Sequence, residues 1–121
     1  MATLLVNAGK AIVTNRIKGS GTEPVYVAWG TGAGTTGATD TTLFTETGSR
    51  TSGTSTQQTT SVTNDTYQVV GTMTAGGTLA ITNAGLFDAS TSGNLFVKGD
   101  FSTINLSSGD SIQFTFKTQF S

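Results

Sequence analysis

Over residues 111–120 the chain alternates: Ile112, Phe114, Phe116 and Phe120 share one parity, and Ser111, Gln113, Thr115, Lys117 and Gln119 share the other. A period of two describes a β-strand with one face buried and one wet. Two more apolar runs precede it, Leu79–Asp88 and Asn94–Phe101. Ala-Ser-Thr-Ser-Gly separates those two, and Ser107-Ser108-Gly109-Asp110 turns the chain into the last run. The stretch Leu79–Phe120 therefore reads as the hydrophobic centre of an antiparallel sheet.

Toward the N-terminus the period changes. Leu5, Ala8 and Ile12 recur at helical spacing, and Val13 and Ile17 broaden the stripe, so a helix is predicted over residues 4–18. Arg16 and Lys18 fall in its last turn, where cations suit the dipole, and Gly19 suits the position after the C-cap. Gly9 weakens its middle by about 1 kcal/mol relative to Ala, so docking to a sheet must support it. Beyond Pro24, the only proline, Val25–Trp29 reads as a strand with Val25, Val27 and Trp29 on one face and Tyr26 on the other.

The stretch Gly30–Thr63 is dense in Gly, Thr and Ser, with Leu43, Phe44 and Val62 its only large apolar residues. Two readings compete: thin edge strands with Thr on both faces, or an arm that orders against a partner. The composition favours a turn or short strand around Thr42–Glu46, then an exposed arm over about residues 48–60. Tyr67–Thr74 resumes a strand, and Gly76-Gly77 turns it into Leu79. The sum is a single domain, 1–121, all-β: a small antiparallel sandwich or barrel of six to seven strands with one N-terminal helix.

Composition narrows the function classes. Only 11% of residues are charged and the net charge is −1, with no clustered basic face for nucleic acid or anionic lipid. No Cys is present for disulfides, and no His is present for general base or metal-ligand work. The opening MATLLVNAGK lacks a basic n-region, and no apolar run approaches the ~20 residues of a membrane span. Synthesis and first assembly in a cytoplasm are expected. A near-neutral surface is poorly protected against association, so neighbours are expected to cover it.

The candidate chemistry is thin. Gly32-Ala33-Gly34-Thr35-Thr36-Gly37 matches GxGxxG after a strand, but no periodic helix opens behind it to hold a pyrophosphate. Asp88 and Asp100 flank one hairpin, as a glycosidase pair would; beside Gly, Ser, Thr and Asn, carboxylates more often cap their own turns. A Ser–Lys dyad would draw on Lys10, Lys18, Lys98 or Lys117, of which Lys98 and Lys117 read as solvated sheet charges. Asn64-Asp65-Thr66 and Asn105-Leu106-Ser107 read as turns. No catalytic, cofactor-binding or metal-ligating residue is assigned, and no enzyme, cofactor or metal is expected.

The order Val-Tyr-Val-Ala-Trp-Gly-Thr-Gly, Thr-Leu-Phe-Thr-Glu, Ile-Thr-Asn-Ala-Gly-Leu-Phe-Asp-Ala, Gly-Asn-Leu-Phe-Val-Lys-Gly-Asp-Phe and Gly-Asp-Ser-Ile-Gln-Phe-Thr-Phe resembles short virion proteins of tailed bacteriophages. Asn83 stands where many members of that group carry an acid. The resemblance implies a capsid decoration (cement) protein that bridges and stabilises major capsid subunits, or else a tail, neck or fibre component. It also implies a homo-oligomer, dimer or trimer, assembled in the bacterial host cytoplasm, with partners among capsid, tail or neck proteins. A carbohydrate-binding sandwich module is the reading from another class, and it requires exposed aromatics along one face.

Overall fold

The computed structural model describes residues 3–121. Eight strands form two antiparallel sheets packed as a sandwich, with one short helix. In chain order the elements are β1 (Thr3–Leu5), α1 (Asn7–Ile17), β2 (Tyr26–Gly30), β3 (Glu46–Ser52), β4 (Thr54–Gln58), β5 (Thr66–Thr74), β6 (Leu79–Phe87), β7 (Leu95–Leu106) and β8 (Ser111–Gln119). One sheet has the order β1-β7-β6-β2-β3 and the other β4-β5-β8. Of the sandwich or barrel expected from the alternation, the sandwich is the observed architecture, with eight strands among the described residues instead of six to seven.

The helix is shorter than its apolar stripe. Residues 3–5 pair instead with β7, Thr3 opposite Gly99 and Leu5 opposite Val97. Gly9 and Ile12 face inward, whereas Ile17 is 81% exposed. A Cβ on Gly9 would lie 2.1 Å from the Phe96 carbonyl oxygen, so this glycine sets how closely α1 approaches β7. The helix ends as Gly19 foretold. Gly19, with φ +93°, donates to Arg16 O, and Ser20 N–H donates to Asn15 O, the two bonds of a Schellman motif.

The predicted arm over 48–60 is a correction. Most of that stretch is paired backbone: β3 lies against β2, Tyr26 opposite Ser52 and Val27 opposite Thr51, and β4 lies against β5. Thin edge strands are what the Thr-rich composition forms. Paired edges draw on ladder bonds and neighbours' side chains, so they need no apolar alternation of their own. Between Val27 and Trp29 the β3 register slips by two residues, around Gly48 at φ +72°. At Gly53 the ribbon passes from one sheet to the other. Its N–H donates to Val25 O at 2.7 Å, and a Cβ there would fall 2.6 Å from Val69 Cγ1. Strands that switch sheets make the corners of such sandwiches.

Between the sheets lies a core centred on Val27, Trp29, Val69, Ile81 and Leu86. Phe114 meets Trp29 edge to face at 6.4 Å. Val6, Ala28, Leu43, Phe87 and Leu95 form a second cluster on the outer face of the larger sheet. Tyr26 packs on that second cluster, opposite Trp29 as expected.

Candidate functional site

The outer face of the larger sheet is covered by the loop between β2 and β3, and polar residues of the sheet hold it there. Thr31 N–H and Gly32 N–H donate to Thr45 O and Phe44 O, closing its neck. Inside, Asn83 Oδ1 accepts from Phe44 N–H at 3.0 Å while Asn83 Nδ2 donates to Phe44 O at 3.1 Å. Thr36 N–H donates to Asp100 at 3.0 Å, and Asn7 N–H donates to Ala38 O. Lys98, fully buried, donates to Asp40 Oδ2 at 2.9 Å and to Thr42 O at 3.0 Å, with its ammonium 3.2 Å from the centre of the Phe44 ring. The Gly37 amide first, then Lys98, holds the Asp40 carboxyl below its ordinary range.

Lys98 is not the solvated sheet charge expected from its sequence context. Its strand position faces the covering loop, so burial comes from residues 40–44, far off in sequence. Its partners are a carboxylate, a carbonyl and a ring, with no hydroxyl for a Ser–Lys dyad. Lys117 lies on the exposed face of β8 as expected.

Arg50 is a second cation with a buried side chain, and the sequence assigns it no role. Arg50 Nε and Nη2 grip Glu46 at 2.8 and 3.1 Å, while Nη1 donates to Ala89 O and Ser92 O and the guanidinium stacks 3.5 Å from the Phe87 ring centre. This clamp ties β3 to the β6–β7 turn. The only signal for it in the sequence is the Glu46–Arg50 spacing.

The other candidates resolve as scaffolding. Gly32 and Gly34 make room for Phe44: a Cβ on Gly34 would sit 2.7 Å from its ring. No helix opens behind them. Asp88 accepts from Asn94 N–H at 2.7 Å, and Asp110 accepts from Ser107 N–H at 2.8 Å. Because Asp100 lies opposite Asn83, Asp88 is five residues further along the ladder, roughly 17 Å away. That separation exceeds the spacing of a glycosidase pair. Asp65 gathers the amides of Thr60, Ser61 and Val62, and these hold its carboxyl well below the usual range. Asn105 lies within β7 rather than in a turn. Burial, then Glu23, pushes the Tyr67 hydroxyl up, so it stays protonated and shares its one O–H between Glu23 Oε2 and Pro24 O. Trp29 is 3% exposed, which removes it from any sugar platform. Among the described residues no three His, Cys, Asp or Glu side chains converge to hold a metal, and no helix is long and apolar enough to cross a membrane.

What remains open is a flank. A groove of about 960 Å³ runs between β1 and β7 on one sheet and β8 on the other. Leu4, Phe101, Ile104, Phe114 and Phe116 line it, with Leu4 and Ile104 more than a third exposed. The buried face expected for β8 is thus only half covered at Ile112, Phe114 and Phe116. Among the described residues no strand lies beside its outer edge. An apolar cleft beside unpaired backbone suits contact with another polypeptide.

No protein-family model, curated protein or solved structure matches this chain.

Proposed function

We propose that this chain is a structural component of a tailed-bacteriophage virion, a capsid decoration protein that bridges and stabilises major capsid subunits. One observation carries the reading. Buried Asn83 and Lys98 and the largely buried Arg50 guanidinium fasten the molecule's own loops, while an apolar groove and a free strand edge are left for contact. Asn83, Lys98 and Arg50 bond to backbone, and the aspartates serve turns and loops. A stiff body with an adhesive flank fits a protein that binds a repeating lattice, where many modest contacts sum to avidity. The motif order that resembles phage virion proteins supports the same conclusion. The work of such a protein is adhesion, without bond-making chemistry.

The test is to mix the purified protein with undecorated capsids. Saturable binding at a fixed ratio to the major capsid protein supports the proposal, and absence of binding removes it. Copy number in a purified virion assigns the position: a number matching the shell lattice supports decoration, and a handful supports the tail, neck or fibre.

A further inference from the structure

We propose that this chain forms a two-fold homodimer by antiparallel pairing of β8 with the β8 of a second copy, centred on Thr115. Four strands end a sheet here, and three of them are blunted. β1 has three residues, β3 is bulged at Gly48, and β4 is five residues without one large apolar side chain. β8 runs nine residues in unbroken register with β5 and contains no proline. A long, flat, half-apolar edge is the kind that other proteins cover or disrupt.

The phase of the ladder fixes which backbone groups are free. Phe120 N–H donates to Asp65 O at one end, and Ala75 N–H donates to Asp110 O at the other. Both bonds belong to the β5–β8 register, and both fall on even-numbered positions of this segment. The even residues of β8 therefore bond to β5, and the N–H and C=O of Ser111, Gln113, Thr115, Lys117 and Gln119 point to the open edge.

That parity selects a self-complementary register. A two-fold axis at Thr115 sets Thr115 opposite its copy, Gln113 opposite Lys117 and Ser111 opposite Gln119. Every residue with a free backbone pair then meets another, each donating and accepting once. Lys117, the one charge on the strand, faces a neutral amide; an axis at Lys117 would set like charges opposite each other, which is unfavourable. A net charge of −1 per copy adds little repulsion. The axis stands perpendicular to the three-stranded sheet, so both grooves come to lie on the same side. Leu4, Ile104, Phe114 and Phe116 of each copy then face a shared apolar seam, in an isologous contact.

The pairing stands apart from the virion reading. A dimer that ignores capsids leaves it intact, and a monomer that coats them overturns it alone. The experiment is light scattering and sedimentation at micromolar concentration. Wild type is expected at twice the chain mass. Thr115→Pro removes an N–H that β5 does not use; it is expected to halve the mass with an unchanged circular dichroism spectrum. Should that variant unfold, Gln113→Lys decides: it sets lysines across the axis, and the dimer is expected to be lost at low salt and restored at high salt. A monomeric or trimeric wild type overturns the proposal, as does a folded Thr115→Pro that stays dimeric or a Gln113→Lys dimer indifferent to salt.

Discussion

Asn83 holds both backbone groups of Phe44, accepting from its N–H at 3.0 Å and donating to its C=O at 3.1 Å. The two residues lie 39 positions apart, and Asn83 is fully buried. A side-chain amide offers a donor and an acceptor side by side, which an ionised carboxylate, an acceptor only, cannot. Asn83→Asp leaves the Phe44 carbonyl facing a carboxylate in a dry site. We expect a loss of about 3 kcal/mol at neutral pH, seen as a lower urea midpoint with unchanged slope. The loss should shrink in mild acid, where the protonated carboxyl can donate again.

Lys98 and Asp40 predict an asymmetry. The Asp40 side chain is 23% exposed and keeps the Gly37 amide, so it can rehydrate when its partner is removed. The Lys98 side chain has no exposure at all. Lys98→Met, which preserves the stem, should cost about 1 kcal/mol, whereas Asp40→Asn strands a buried ammonium and should cost about 3 kcal/mol. Denaturant melts of both variants check the order, and equal losses would refute it.

Acid should destabilise the fold through Asp65 and Asp40, whose carboxyls are both held below their ordinary values. A depressed folded value means that the stability is present above the unfolded value and lost as pH falls through the folded one. The unfolding midpoint should be flat in this respect down to about pH 4 and fall below it. Asp65→Asn, which gives up the charge gathering the Thr60, Ser61 and Val62 amides, should flatten that descent. An unchanged acid limb would refute the assignment.

Gly9→Ala tests the docking of the helix. Propensity alone favours Ala by about 1 kcal/mol. Here the new Cβ would meet Phe96 O at 2.1 Å and Leu5 Cδ1 at 2.8 Å, so α1 must move off β7. We expect a net loss of about 2 kcal/mol in thermal unfolding, against a gain if the helix were free.

These residues also show what a linear reading can reach. The alternation of β8, the turns at Gly76-Gly77 and Ser107–Asp110 and the Gly19 stop were legible because each is written within a few neighbouring positions. β3 and β4 were not, since a ladder at an edge imposes no apolar period on Thr and Ser. Lys98 and Arg50 were missed for another reason: charge predicts solvent unless the covering segment is known. That segment arrives from residues 40–44 for Lys98 and from the β6–β7 turn for Arg50. Gly9 was read as a weakness because its neighbour, the Phe96 carbonyl, is 87 positions away. The groove was hidden too, since a strand's period reports which face is greasy and not how fully a partner sheet covers it.

The ribbon that bends at Gly53 belongs to both layers at once. On that side, prying the layers apart means stretching covalent backbone, as in a book held by its spine. Away from that corner the layers are joined at one end, where residues 75–78 link β5 to β6 and residues 107–110 link β7 to β8. Under load the molecule should gape first along the open flank, hinging about the Gly53 corner, and whatever settles into that gap acts as a clasp.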